Sequence, residues 1–105
     1  MIVSICGIPH KVIECEDYFD IDSHLGQIEY KECLIKINSG LAPELKRATI
    51  CHEILHGLLV HVGRNDLAED EVLVTALGNA INGSFDIKEL QINADARTVQ
   101  GGENE

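Results

Sequence analysis

The chain has 105 residues, of which 45% are apolar and 25% charged, a balance that is typical of one globular domain and excludes disorder, collagen-like repetition and low complexity. Eighteen acidic residues against eight basic ones give a net charge of -10, which disfavours a phosphate-binding surface and so argues against nucleic acid as a partner. Apolar runs are far shorter than the roughly 20 residues that span a bilayer, so we expect no membrane segment. The four cysteines form no CxxC pair and follow no secretory signal, so we expect reduced, buried thiols in a cytoplasm.

Two pairs of short strands are predicted in the first forty residues. A β-rich run, a turn at Gly7-Ile8-Pro9 and a second β-rich run predict a hairpin over residues 2–15. Alternating apolar residues at 26–30 and again at 34–37 predict a second strand pair. Between the pairs lies an acidic run that we interpret as a solvated loop, because its spacing does not match a calcium-binding loop. The acids of this run are Glu14, Glu16, Asp17, Asp20 and Asp22.

A helix is predicted over residues 43–62. Pro43 suits the first helical position, Glu44 favours the positive end of the helix dipole, and Gly63 supplies a stop. The apolar side chains of this segment cover at least half of the helical wheel, so we expect the helix to be mostly buried.

A second helix is predicted to follow the first. Asn65 or Asp66 is the expected cap, and Asn82-Gly83 marks the expected end. The next segment, residues 85–92, has enough apolar character for a third, short helix or for a docking segment.

These elements predict an α+β fold in which a small N-terminal antiparallel sheet packs on two helices. We expect one domain at residues 1–92 and a polar, flexible tail at 93–105. Aromatic residues make up only 4% of the chain, so the core must be aliphatic and its margin of stability small. A bound metal is one way to stabilise such a domain.

One motif of the predicted first helix carries the functional signal: His52-Glu53-Ile54-Leu55-His56, or HExxH. Imidazoles four residues apart are separated by about 40° on the helical wheel, so both can reach one Zn²⁺. Glu53 lies beside the metal, where a carboxylate can take a proton from zinc-bound water and pass it to a leaving amine. The alternative is a pair of core histidines that only satisfy hydrogen bonds, but burying these three polar groups without a partner costs several kcal/mol.

A catalytic zinc site needs a third protein ligand. His61 lies nine residues after His52 and therefore on the opposite side of a continuing helix. The extended metzincin pattern requires a glycine and a histidine where this chain has Leu59 and Val62, which excludes that class. The remaining candidates are acids of the following helix.

Among those acids, Glu71 is the preferred ligand. It shares a helical stripe with small and apolar residues, so we expect it to face the partner helix. Glu69 and Asp70 are better suited to balance the helix dipole in the first turn, with Asp70 as the reserve ligand. The alternative for Glu71 is a plain solvated acid.

Three segments together resemble a known family. The motif HEILHG at 52–57, the strand-like run at 34–37 and the segment EVLVTALGN at 71–79 look like the small phage- and prophage-borne metallopeptidases of the ImmA/IrrE type. The likeness covers roughly residues 26–82, and its HExxH portion is the most specific part.

The resemblance implies a minimal zincin-like fold in which His52, His56 and Glu71 hold zinc and Glu53 is the catalytic acid and base. It also implies a protein or peptide substrate, namely a repressor-like regulator in the cytoplasm of a bacterium or a phage-infected bacterium. Neither nucleic acid nor a membrane is expected as a partner, and the oligomeric state is left open.

A peptidase also needs a second donor for the developing oxyanion and a surface that holds the peptide. His61, Tyr30 and Arg64 are candidate donors by chemistry alone. The strand near 34–38 is the candidate surface, because zincins commonly bind an extended peptide along an edge strand above the metal.

The remaining cysteine and histidine residues receive structural interpretations. Cys51 precedes His52 directly, and helical neighbours point about 100° apart, so we expect a buried structural thiol and not a nucleophile. His10 and His24 are interpreted as surface residues without a task.

Two rival functions stay open at this point. One is a zinc-binding regulatory or interaction module of phage origin that no longer turns over. The other is a small domain with a structural zinc, which the sequence disfavours because structural sites normally have four protein ligands, mostly cysteine.

Overall fold

The computed structural model describes residues 1–16 and 25–85. Four expectations lie wholly or partly outside these ranges: the acidic run beyond Glu16, the exposure of His24, the apolar segment after Phe85, and the tail with its boundary near residue 93. These described residues form an α+β fold with a four-stranded sheet and three helices, which confirms the predicted fold class.

The sheet contains both predicted strand pairs. Its strands are β1 (Ile2–Ile5), β2 (Ile8–Cys15), β3 (Gly26–Glu29) and β4 (Leu34–Asn38), in the order β1-β2-β4-β3. The pairs β1-β2 and β3-β4 are antiparallel hairpins, as predicted.

The expectation of a wholly antiparallel sheet is wrong, because β2 and β4 pair in parallel and the sheet is mixed. Ile35 and Ile37 of β4 are almost completely buried. A strand this apolar is most stable at the centre of the sheet, so the two hairpins join through β4 and leave β3 at the edge.

The first hairpin turns at Cys6-Gly7, one residue earlier than the sequence suggested. Both turn residues have left-handed backbone, with φ of 52° at Cys6 and 83° at Gly7, which is the two-residue turn that matches the twist of paired strands. Pro9 therefore lies within β2, opposite Ser4. Because β2 pairs with β4 only from Lys11 onward, the missing N–H of Pro9 removes no hydrogen bond between these two strands.

The long helix α1 spans Pro43–His61 and confirms the predicted boundaries. Pro43 occupies the start of the helix, and Gly63, with φ of 82°, follows its end. The helix packs on one face of the sheet at Gly57, where an added Cβ would lie 3.0 Å from the methyl groups of Ile5 and Ile28. The buried core under this contact consists of Val3, Ile5, Val12, Ile35, Ile37, Ile50 and Cys51.

The single second helix predicted from residue 65 is wrong, because the segment breaks into two helices. One turn, α2 (Asn65–Ala68), precedes α3 (Glu71–Ser84). Asp70 caps α3, and its side chain accepts a hydrogen bond from the Leu73 N–H at 3.1 Å. The break makes Glu71 the first residue of α3.

Two expectations about burial are also wrong. His10 is fully buried: its Nδ1–H donates to the Ile8 carbonyl at 2.8 Å, and its ring lies edge-on to His61. The inward-facing positions of β2 alternate through His10, so strand geometry decides its burial. All four cysteines are free thiols, but only Cys51 is buried, since Cys6 is exposed and the other two lie at intermediate depth.

Within the described ranges, no helix combines the length and the apolar character that crossing a bilayer demands.

Candidate metal and active site

Two imidazoles lie one turn apart on α1 and point to the same place. His52 Nε2 and His56 Nε2 are 3.1 Å apart, and the ring centroids are 4.8 Å apart in an edge-to-face arrangement. Their side chains keep 25% and 13% of their surface exposed, so the nitrogens remain accessible from the cleft described below.

Glu71 completes a three-residue cluster with these imidazoles. One carboxylate oxygen lies 3.0 Å from His52 Nε2, and the other lies 3.0 Å from His56 Nε2. The potential ligand atoms of the three residues all fall within 4.8 Å of one another. The side chain of Glu71 is 65% exposed, yet its carboxylate turns toward α1 and not away from it.

The chain break before α3 determines which acid reaches the histidines. Asp70 uses its carboxylate to cap α3, and Glu69 is an exposed residue that ends α2. Packing of α3 against α1 then carries Glu71 over the imidazoles. Gly78 faces α1 in this contact, and a Cβ added there would lie at an ordinary contact distance, 3.5 Å, from the His52 Cα.

The three side chains are better satisfied by a bound cation than by hydrogen bonds to one another. If both Nε2 atoms carry hydrogens and donate to Glu71, the two N–H groups lie 3.1 Å apart with no bond between them. If one imidazole instead donates to the other, the accepting nitrogen turns a lone pair toward a carboxylate oxygen. A cation held by two nitrogen lone pairs and a carboxylate satisfies all three groups, and this nitrogen and oxygen set suits zinc.

Glu53 lies on the same helix beside the cluster and is 93% buried, with 7% of its surface exposed. Its carboxylate makes no hydrogen bond within residues 1–16 and 25–85. Burial, and then the negative charge of Glu71, raise the pKa of Glu53 to about 7. A carboxyl group that titrates near neutrality can both accept and donate a proton there.

All four residues face a cleft of about 690 Å³ between β3, α1 and α3. No lysine or arginine of the described ranges lines it. The lining residues are Leu25, Gly26, Gln27, Ile28 and Tyr30 near β3, Leu45, Ala48, Thr49, His52, Glu53 and His56 from α1, and Glu71, Thr75 and Asn79 from α3.

The strand beside this cleft is β3, so the prediction of residues 34–38 as the substrate edge is wrong. β4 lies between β2 and β3 and has no free edge. The Leu25 carbonyl accepts from the Asn38 N–H at 3.0 Å, and the alternation of an antiparallel pair then directs the backbone groups of Gly26 and Ile28 toward the open edge.

The sequence interpretation missed this β3 wall. One signal was available at Gly26, where an added Cβ would lie 2.8 Å from the Thr49 methyl and 2.9 Å from the Lys36 carbonyl oxygen. A glycine inside an alternating strand marks such a close approach. It does not by itself indicate which side of the strand faces a site.

The three candidate oxyanion donors lie in different places. Tyr30 lines the cleft. His61 lies at the end of α1 against His10 and is not among the described lining residues. Arg64 is paired with Asp66 through two hydrogen bonds of 3.0 and 2.8 Å and is also absent from the lining.

Cys51 is the buried thiol of α1, and burial raises its pKa. Its Sγ lies 3.8 Å from the Asn82 side-chain oxygen of α3, between the helices and away from the cleft lining.

Comparison of the chain with protein-family models, with curated proteins and with solved structures finds no match.

Proposed function

We propose that the protein is a zinc-dependent endopeptidase of the kind that its HExxH segment resembles. One observation carries the proposal: the cluster of His52, His56 and Glu71 lies in a cleft that also holds the buried carboxylate of Glu53 and borders β3, an edge strand of the described sheet. A metal-binding cluster alone indicates only a metal site. Peptide hydrolysis also requires a proton carrier and a surface that holds the peptide, and we assign these roles to Glu53 and to the edge of β3.

In this proposal His52, His56 and Glu71 are the protein ligands of zinc. Zinc bound there supplies a Lewis acid for the attacking water and the scissile carbonyl. Three ligands leave a coordination position open, whereas a structural site is normally closed by four. Glu71 is the most exposed of the three ligands, with 65% of its side-chain surface accessible, and it lines the cleft.

Glu53 is the proposed acid and base. It takes the proton of the attacking water and later gives that proton to the leaving amine. Its two hydrogen-bonding oxygens have no partner among the described residues, so neither step requires an existing bond to break. Burial raises the pKa of Glu53 to about 7, so the carboxyl group can both accept and donate a proton near neutral pH.

The substrate of the proposal is an internal stretch of an extended protein chain. The open backbone groups of Gly26 and Ile28 offer hydrogen bonds to a peptide that lies along β3. The described lining offers no cation for a terminal carboxylate, which favours an endopeptidase over a carboxypeptidase. A repressor-like cytoplasmic regulator, the substrate class of the resembled family, is the corresponding candidate.

A pair of variants tests the function. His52→Ala should lose zinc, whereas Glu53→Gln should retain zinc and the fold but lose cleavage of a quenched fluorescent peptide library. Glu69→Gln is the matched control, since this acid lies outside the described lining of the cleft and should keep both properties.

Zinc binding is measured by competition with a chromogenic chelator and by the rise in melting temperature. Zinc at 100 times its Kd should stabilise the wild type by about 2.7 kcal/mol. A wild type that binds zinc and cleaves no library member indicates a silent zinc-binding module. A Glu53→Gln protein that unfolds as badly as His52→Ala indicates a structural zinc.

A further inference from the structure

We propose that the hydroxyl of Tyr30 donates a hydrogen bond to the oxyanion that develops on the scissile carbonyl. Tyr30 follows the last residue of β3 and lines the cleft that Glu71 also lines. The inference rests on the proposed endopeptidase function and assigns one of its missing parts. Hydrolysis of a peptide bond places negative charge on the carbonyl oxygen, and a preorganised donor near that oxygen lowers the barrier.

The backbone of Tyr30 is held, while its hydroxyl is unused. The Tyr30 carbonyl accepts from the Cys33 N–H at 3.3 Å in the turn between β3 and β4. Within residues 1–16 and 25–85 the phenol hydroxyl makes no hydrogen bond. Tyr30 is 41% exposed and lines the cleft, so its ring is not enclosed in the core. A held backbone with an unengaged donor is the arrangement that a transition-state contact requires.

The charges around the ring keep that donor protonated. Partial burial, and then the negative charges of Glu53 and Glu71, raise the pKa of Tyr30. Tyr30 lines the same cleft as both carboxylates, Glu53 as the proposed proton carrier and Glu71 as a proposed ligand. With its pKa raised, the hydroxyl is neutral at physiological pH and can donate a hydrogen bond there.

Other polar side chains of the cleft are less suitable. The Thr49 hydroxyl already donates to the Leu45 carbonyl at 2.7 Å, and the Gln27 amide donates to Glu29 at 2.9 Å. Asn79 and Thr75 lie on α3, the helix that carries Glu71, and their side chains are competing donors of the described lining. Tyr30 and Asn79 thus give opposite predictions for paired substitutions.

The test compares zinc-loaded wild type with Tyr30→Phe and Asn79→Ala. Tyr30→Phe removes a single oxygen and should lower kcat by on the order of 10²-fold on the best-cleaved library peptide, with KM changed by less than about threefold. Zinc affinity and melting temperature should match the wild type. Glu69→Gln is the control outside the described lining and should leave all these values unchanged.

A second readout does not depend on turnover. A phosphinic analogue of tetra-alanine carries a tetrahedral anion where a substrate has a planar amide, and tetra-alanine amide is its matched planar control. Tyr30→Phe should weaken binding of the phosphinate at least tenfold and leave binding of the planar peptide unchanged. A purely structural role would weaken both.

The outcomes separate the two proposals. If the zinc-loaded wild type cleaves no peptide, the endopeptidase function is overturned and this role with it. If the wild type cleaves peptides and Tyr30→Phe is indistinguishable from it in cleavage and in phosphinate binding, the role of Tyr30 alone is overturned. Loss in Asn79→Ala without loss in Tyr30→Phe assigns the donor to α3 and also overturns the inference.

Discussion

Replacing Glu53 by glutamine should stabilise the metal-free protein at alkaline pH. The pKa of Glu53 rises from 4.5 to about 7 in the folded chain, first because of burial and then because of the charge of Glu71. Since one pKa unit corresponds to about 1.4 kcal/mol, the ionised carboxylate lowers the free energy of unfolding by about 3 kcal/mol. Glutamine has the same shape and no charge, so it removes that cost.

The sign of the pH dependence follows from the raised pKa. The folded chain binds the proton of Glu53 more tightly than the unfolded chain does, so this contribution to stability is fully present below pH 4.5 and is lost as the pH rises to about 7. The difference between Glu53→Gln and wild type should therefore be near zero at pH 4.5 and about 3 kcal/mol at pH 8 and above.

Urea unfolding in the presence of EDTA measures this difference at a series of pH values. For a domain of this size, 3 kcal/mol corresponds to roughly 12 to 24 °C in Tm. The other ionisable groups are common to both proteins and largely cancel in the comparison. A difference that does not change between pH 4.5 and 8, or a variant less stable than wild type at pH 8, would refute the reasoning.

Three further sets of substitutions test local packing and helix capping by urea unfolding. Gly26→Ala should destabilise the protein by about 2 kcal/mol because the new methyl meets a backbone oxygen, whereas Gly78→Ala, with ordinary contact distances, should stabilise α3 by up to about 1 kcal/mol; the reverse order would contradict the packing described. Asp70→Ala should cost about 1 kcal/mol and weaken zinc binding through the frayed start of α3, and Glu69→Ala, which removes no cap, should do neither; equal effects would exclude capping as the cause. His10→Ala should cost about 3 kcal/mol because the ring is fully buried; a cost below 1 kcal/mol would place this side chain at the surface.

Local features of the sequence were sufficient for much of the fold. Pro43 and Gly63 act on the backbone next to them, so the extent of α1 could be predicted to within one residue. The two hairpins were predictable for the same reason, since alternation and turn residues operate over a few positions. The joining of those hairpins in parallel was not, because it depends on burying Ile35 and Ile37 against a helix that comes later in the chain.

The sequence by itself determined that His52 and His56 share one face of a helix with Glu53 beside them, because a helical repeat relates residues only a turn apart. The tertiary structure decided which acid meets the imidazoles, because the cap at Asp70 and the packing of α3 on α1 set the position of Glu71. It also decided that β3 borders the cleft and that Tyr30 lines it. These relations join segments far apart in the chain, and burial of the whole core, not any local preference, selects them.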